Sequence, residues 1–214
     1  MGKIDNDFEL YLAQHTSPED EVLSELTRYT NLTTYNPRML SGRQQGLLLQ
    51  MICQMYKPRN VLEIGTFTGY SAISIARGIS PNGHLDTIDV NDELEEVIRK
   101  FINLAKVEQY ITLHFGNALD LIPLLDKSYD LVFIDGDKRD YPDYYKLVFP
   151  KVNVGGYIIA DNVLWNGKVI EPDANDLHTK AILDFNQSVQ NDRRVENVLL
   201  PMRDGLMLIH KLSD

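Results

Sequence analysis

Polar side chains able to bind a divalent metal ion follow two apolar stretches of the sequence. Asp135 comes directly after the apolar segment 129–134, and Asp161 and Asn162 come after the apolar segment 157–160. Two carboxylates and one amide form a set of hard oxygen ligands, which suits Mg²⁺ in the first place and also Mn²⁺ or Ca²⁺. Because such a set leaves coordination positions for water and substrate, the pattern indicates catalysis or substrate capture.

Lys138 stands three positions after Asp135 and adds a group for proton transfer. A cation bound to a hydroxyl lowers the pKa of that hydroxyl and makes an oxygen nucleophile available at neutral pH. Lys138 could take the proton if neighbouring positive charge favours its neutral form, or could stabilise the developing oxyanion. The alternative is structural, with a solvated turn around Lys138 and an Asx turn at Asp161 and Asn162.

A second group of residues surrounds two glycines, Gly65 and Gly69, which follow the apolar segment 61–64. Glycines allow a close approach of the backbone to a ligand, but their spacing differs from the G-x-G-x-x-G pattern of dinucleotide sites. Glu63 would repel a pyrophosphate, whereas Asp89, twenty positions after Gly69, could accept both hydroxyls of an unphosphorylated ribose. The combination favours S-adenosylmethionine over NAD as the cofactor.

Alternating strands and helices are predicted to position these residues. Before residue 60, Asp20 and its neighbours predict the start of a short helix, and Ser41 predicts the N-cap of a longer one that ends near Lys57. The predicted strands are 60–65, 85–90, 111–115, 129–134, 157–160, 195–200 and 206–210, and the helices that follow residue 60 are 70–78, 92–104, 142–149 and 178–190. This alternation predicts a doubly wound, mainly parallel sheet with its binding crevice at the carboxyl ends of the strands.

Composition limits the partners and the compartment. The 214 residues carry a net charge of -10, which makes nucleic acid an unlikely partner. The single cysteine, Cys53, can form no internal disulfide, and no stretch approaches the ~20 apolar residues of a membrane span, so a cytoplasmic protein without a membrane partner is expected. The five histidines show no H-x-x-x-H pairing, so the sequence does not predict a zinc site.

Four stretches of the sequence resemble the metal-dependent O-methyltransferases of the catechol and caffeoyl-CoA type, bacterial branch. They are 61–71 (VLEIGTFTGYS), 133–138 (FIDGDK), 160–167 (ADNVLWNG) and 200–206 (LPMRDGL). The resemblance implies an α/β fold of the Rossmann-like class I methyltransferase type, with a seven-stranded mainly parallel sheet, a reversed last strand and helices on both faces. It also implies a homodimer acting on a small phenolic substrate with two adjacent hydroxyls. One domain, 1–214, is expected, in which N-terminal helices (1–57) cap a core (58–214).

The same resemblance assigns roles to individual residues. The catalytic residues would be Lys138 as the base, Asp135 and Asn162, and the metal ligands would be Asp135, Asp161 and Asn162. The substrate would contact Lys138, Trp165 and Asn166. The residues that would bind S-adenosylmethionine are Ser41, Glu63, Gly65, Thr66, Ser71, Asp89, Ala118 and Asp137. The chain departs from plant members of the family at Gly136, where they commonly have Ala, and at Arg203, where they commonly have Gly.

Two other functions stay open at this point. Some bacterial relatives methylate a hydroxylated uridine in tRNA, which would require a basic surface near the site. A non-catalytic module that only binds the cofactor would be expected to have lost a metal ligand or Lys138, and this sequence retains them.

Overall fold

The computed structural model describes residues 3–171 and 176–214, and a seven-stranded sheet runs through its centre. The strand order is β3-β2-β1-β4-β5-β7-β6. The strands are β1 (Asn60–Ile64), β2 (His84–Asp89), β3 (Ile111–Phe115), β4 (Tyr129–Ile134), β5 (Val152–Asp161), β6 (Val195–Leu200) and β7 (Leu206–Lys211). Strands β1 to β5 pair in parallel, whereas β7 is antiparallel to both β5 and β6. The predicted mainly parallel sheet with a reversed last strand is confirmed.

Helices flank the sheet, and three of them precede the first strand. They are α1 (Lys3–Gln14), α2 (Glu21–Thr33), α3 (Gly42–Tyr56), α4 (Tyr70–Ala76), α5 (Glu95–Leu104), α6 (Ala118–Leu121), α7 (Tyr141–Val148) and α8 (Leu177–Asn191). Helices α1 and α6 had no counterpart among the predicted elements. None of the helices within the described residues is long and apolar enough to cross a membrane.

Alternate residues of β4 show how the two faces of the sheet are covered. Val132 belongs to a buried cluster that includes Tyr141 of α7 and Phe185 of α8. Phe133, its neighbour, belongs to a different cluster with Cys53 of α3. Because successive side chains of a strand point to opposite faces, helices cover both faces of the sheet.

The N-terminal helices begin differently from each other. The Asp20 carboxylate caps α2 by accepting hydrogen bonds from the backbone N–H groups of Val22 and Leu23. Ser41 precedes α3, but it has helical dihedral angles and its side chain makes no capping hydrogen bond. Ser41 is therefore at the predicted N-cap position of α3, but its side chain does not cap the helix, since side-chain capping requires an extended residue.

The register of the sheet brings the predicted site residues to one edge. Ile134, the last residue of β4, pairs with Ile64 of β1 on one side and with Ala160 of β5 on the other. Gly65, Asp135 and Asp161 each come directly after one of these three residues, so the three neighbouring strands deliver them side by side. This is the carboxyl edge at which open α/β sheets bind ligands.

Candidate functional site

A cavity of about 1180 Å³ opens at this edge of the sheet, and its lining includes thirteen of the fourteen predicted site residues. They are Ser41, Gly65, Thr66, Ser71, Asp89, Ala118, Asp135, Asp137, Lys138, Asp161, Asn162, Trp165 and Asn166. The exception is Glu63, which lies beneath the cavity inside β1.

Asp135 and Asp161 place two carboxylates in the same part of the cavity. Burial raises the pKa of Asp135 to about 6, the ammonium of Lys138 opposes this rise, and the negative charge of Asp161 adds to it. The two carboxylates therefore repel each other across the cavity. A bound cation would relieve this repulsion, which makes the pair suitable for holding one.

Lys138 is held by three acceptors. Its Nζ donates to Asp135 Oδ1 at 2.8 Å, to the carbonyl oxygen of Gly136 at 3.0 Å and to the hydroxyl of Tyr141 at 2.9 Å. An ammonium has three N–H donors and no acceptor, so this arrangement uses all of them. In this geometry Lys138 is a charged donor paired with Asp135.

Tyr141 holds Lys138 in place by accepting one of its hydrogen bonds. Its side chain is fully buried, and its hydroxyl lies 2.9 Å from the carbonyl oxygen of Asp161 and 3.2 Å from that of Ile134. Burial raises the pKa of Tyr141 well above its usual value, so the hydroxyl keeps its proton. It donates that proton to a backbone carbonyl while accepting from Lys138.

Asn162 adopts the left-handed backbone conformation, with φ 58°, directly after Asp161. Asn tolerates this conformation better than most residues. Asp204, a residue of the turn between β6 and β7, lies close to the Asn162 side chain. The Asn162 amide carries an oxygen that can serve as a ligand when its NH₂ group faces the Asp204 carboxylate.

The turn after β1 also lines the cavity, directly beside Asp135. Gly65 has φ 100°, and a Cβ at this position would lie 2.4 Å from the carbonyl oxygen of Asp135. Only glycine fits such a close approach of two backbones. The backbone N–H of Phe67 then donates to Asp89 Oδ2 at 2.6 Å, and that of Asn91 donates to Asp89 Oδ1 at 2.9 Å. Asp89 is thus held at the end of β2 by the turn that it borders.

Glu63 is fully buried, and its environment favours the protonated carboxyl group. Thr87 Oγ donates to Glu63 Oε2 at 2.5 Å, while Oε1 has no hydrogen-bond partner of good geometry among the residues that the structure describes. Burial raises the pKa of Glu63 to about 7, and the nearby hydroxyls of Ser71 and Thr87 offset this only in part. The hydroxyl of Ser71, which lines the cavity, is close to this buried carboxyl group.

The remaining predicted residues lie around the rim. Asp137 caps the short 3-10 helix Lys138–Asp140 and forms an ion pair with Arg139, which holds the pKa of Asp137 below its usual range. Trp165 stacks on His178 with ring centroids 5.6 Å apart. The backbone N–H of Asn166 donates to Asp204, so this part of the rim is tied to the turn between β6 and β7.

Comparison with known proteins identifies the family. The sequence profile described as O-methyltransferase matches residues 13–212. The chain belongs to the O-methyltransferase family. Among curated relatives, caffeoyl-CoA O-methyltransferase 5 of Nicotiana tabacum is 32% identical over 207 residues, which cover 91% of this chain and 86% of the relative. The family resemblance carried by the four motifs is confirmed.

Solved structures agree with this assignment. The O-methyltransferase of Streptomyces achromogenes involved in tomaymycin synthesis, in complex with SAM, is 28% identical, has a TM-score of 0.90 and covers 100% of both chains. The O-methyltransferase of Bacillus cereus in complex with SAH is 29% identical, has a TM-score of 0.89 and covers 96% of this chain and 97% of that one.

Three residues of this O-methyltransferase that take part in the site were not predicted. Gln45 of α3 is buried, and its Nε2 donates to Asp161 Oδ2 at 2.7 Å. Its spacing from Leu49 and Cys53 places a polar group on the buried face of the helix, which is a signal that could have found it. Asp204 and Tyr141 gave no such signal, because a turn carboxylate and a helical tyrosine are common features without a site.

Proposed function

We propose that the protein transfers the methyl group of S-adenosylmethionine to one hydroxyl of a catechol or caffeoyl-type phenol that carries two adjacent hydroxyls. A divalent cation, Mg²⁺ in the first place and Mn²⁺ or Ca²⁺ as alternatives, would hold the diol. The observation that carries this proposal is that Asp135, Asp161, Asn162 and Lys138 line the same cavity as Gly65 and Asp89.

The part of the cavity around Asp89, Gly65 and Ser71 fits an adenosyl and amino-acid ligand. Asp89 is anchored by two backbone N–H groups and borders the cavity, as a ribose-binding carboxylate must. Gly65 and Ser71 also line the cavity. Glu63, which is buried behind them, has one carboxyl oxygen without a hydrogen-bond partner among the described residues. The relatives solved with SAM and SAH support this assignment at the level of the family.

The oxygen atoms of Asp135, Asp161 and Asn162 fit a hard cation. The two mutually repelling carboxylates and the amide oxygen of Asn162 would give three oxygen ligands. Within residues 3–171 and 176–214, no group of three or more His, Cys, Asp or Glu side chains is arranged to hold a metal. When bound, the cation would supply a lower pKa for the substrate hydroxyl that it contacts.

The chain's own groups would then orient the substrate and handle its proton. Asp135 accepts from Lys138, so charge taken from Asp135 weakens this ion pair. Lys138 would first release its own proton to solvent and then accept the hydroxyl proton at Nζ, held in place by the Tyr141 hydroxyl. Trp165 and Asn166, at the rim beside Asp204, would contact the aromatic ring of the substrate.

The test combines the purified protein, labelled S-adenosylmethionine and Mg²⁺ with matched catechols and monophenols. We expect a kcat/KM for catechols at least ~10²-fold above that for monophenols, because a monophenol lacks the second oxygen that fixes the reacting one. Equal turnover of a catechol and its monohydroxy analogue would refute diol binding. A second arm uses tRNA with and without hydroxyuridine, and preferential methylation of that RNA would replace the phenolic assignment.

The homodimer, which the family resemblance implies, and the cytoplasmic location, which the composition predicts, remain proposals. Light scattering of the purified protein during size-exclusion chromatography measures the mass in solution. A mass near twice the 24.5 kDa of the chain supports the dimer. A mass near the single-chain value contradicts it.

A further inference from the structure

Arg203, in the turn between β6 and β7, joins three parts of the chain at the wall of the cavity. Its Nη1 donates to the carbonyl oxygen of Ser41 and, at 2.8 Å, to Gln45 Oε1. Its Nη2 donates to the carbonyl oxygen of Leu40 at 3.0 Å. The planar guanidinium therefore holds the segment before α3 and the first turn of α3 at the same time.

Gln45 extends this contact to Asp161. The guanidinium is a donor only, so the Gln45 side chain must turn its oxygen toward Arg203. Its NH₂ group then points to Asp161 and donates to Oδ2 at 2.7 Å. The other oxygen, Oδ1, accepts from the backbone N–H of Asn162 at 2.8 Å. Both oxygens of the carboxylate are thus fixed in direction, and each keeps a lone pair for a further ligand.

We infer that Arg203 and Gln45 are positioning residues, in which Arg203 orients the Gln45 amide and Gln45 orients Asp161 for cation binding. This inference rests on the proposed function, since it concerns the carboxylate assigned there to the cation. Arg203 would thus have a positioning role in this chain, whereas plant members of the family commonly have Gly at that position. The same arginine fixes the backbone at Leu40 and Ser41, on the wall predicted to meet the cofactor.

The backbone at Arg203 supports a role for its side chain. Arg203 has φ 50°, in the left-handed region, which is unfavourable for a residue with a Cβ and not for glycine. Such a conformation persists where surrounding contacts determine it, and here these are the hydrogen bond from Gly205 N–H to the Met202 carbonyl oxygen and the contacts of the guanidinium. An Arg203→Gly variant relieves this cost, so we expect it to fold and to lose only what the side chain does.

The experiment measures binding of Mn²⁺ alone, by electron paramagnetic resonance, to the unaltered protein and to Arg203→Gly and Gln45→Leu. We expect each variant to bind Mn²⁺ about 10- to 100-fold more weakly, the range found when groups that orient metal ligands are removed. The double variant should lose little more than either single one, because both changes break the same chain of hydrogen bonds. Arg193→Gly, which removes an arginine at an exposed turn, is the matched control and should bind like the unaltered protein.

Activity gives a second readout that separates positioning from simple destabilisation. If the variants only bind the cation weakly, saturating Mn²⁺ restores most of kcat, whereas a damaged fold does not recover. Unchanged Mn²⁺ affinity in folded Arg203→Gly and Gln45→Leu, or a kcat that saturating Mn²⁺ fails to restore, overturns the inference alone. Failure of the unaltered protein to bind Mn²⁺ overturns the proposed cation site and this inference with it.

Discussion

Replacement of Glu63 by Gln should stabilise the cofactor-free protein at alkaline pH and have a smaller effect at acidic pH. Glu63 is fully buried in β1, and one of its carboxyl oxygens has no hydrogen-bond partner among the described residues. Burial raises its pKa from 4.5 to about 7. Gln has nearly the same shape and stays neutral at every pH, so it mimics the protonated carboxyl group that this environment favours.

The sign and the size of the effect follow from the difference in pKa. Because the folded protein holds the Glu63 proton to a higher pH than the unfolded chain, the stabilisation is fully present below pH 4.5 and is lost as the pH rises to about 7. At ~1.4 kcal/mol for each pKa unit, the whole loss is on the order of 3 kcal/mol. About 2 kcal/mol of it falls between roughly pH 5.5 and 8.5. The advantage of Glu63→Gln should grow by that amount over this interval.

Urea denaturation at pH 5.5 and 8.5 measures this advantage as the difference in free energy of unfolding between the variant and the unaltered protein. Titrating groups that do not interact with Glu63 are present in both proteins and cancel in the difference, whereas the coupling of Glu63 to Asp135 and Asp89 is part of the measured effect. Glu108→Gln, at an exposed acid, is the matched control and should show little change with pH. A Glu63→Gln difference that is the same at both pH values would refute the raised pKa.

Three further predictions concern the proposed chemistry. Asp89→Ala should weaken binding of S-adenosylhomocysteine by roughly 1 to 3 kcal/mol, since charge-assisted hydrogen bonds are lost, and unchanged affinity by calorimetry would remove Asp89 from the site. EDTA should abolish methyl transfer and Mg²⁺ should restore it, but not in Asp161→Ala; full activity in EDTA would contradict the cation. Lys138→Ala should lower kcat by about 10² to 10⁴ while catechol binding, measured by calorimetry, persists. A kcat unaffected by that change would exclude Lys138 as the base.

The sheet and the ends of its strands were predictable because each depends on a short stretch of sequence. The predicted strand 129–134 coincides with β4, and Asp135 follows it, as the pattern requires. The strand β5 begins earlier than the predicted 157–160, because its first part pairs with β4 across a shift in register and carries exposed residues. Apolar periodicity detects only the buried half of such a strand.

The support of Asp161 depends on contacts between distant parts of the chain, which a local pattern does not contain. Gln45 lies 116 positions before Asp161, and Arg203 lies 158 positions after Gln45. The burial of Glu63 shows the same limit. The family resemblance implies that Glu63 binds the cofactor, which stays a prediction; the structure buries its side chain beside Thr87 of β2. Ser71 lines the cavity.

The roles predicted separately for Asp135 and Lys138 depend on each other in the structure. Lys138 has no acceptor capacity while its three N–H groups bind Asp135, Gly136 and Tyr141, so it cannot act as a base in that state. Two of these acceptors, the Gly136 carbonyl and the Tyr141 hydroxyl, are uncharged, and only Asp135 supplies a counter-charge. A site that draws the charge of Asp135 toward a cation therefore also weakens the ion pair that holds Lys138 in place. The cation and the position of Lys138 would in this way depend on the same carboxylate.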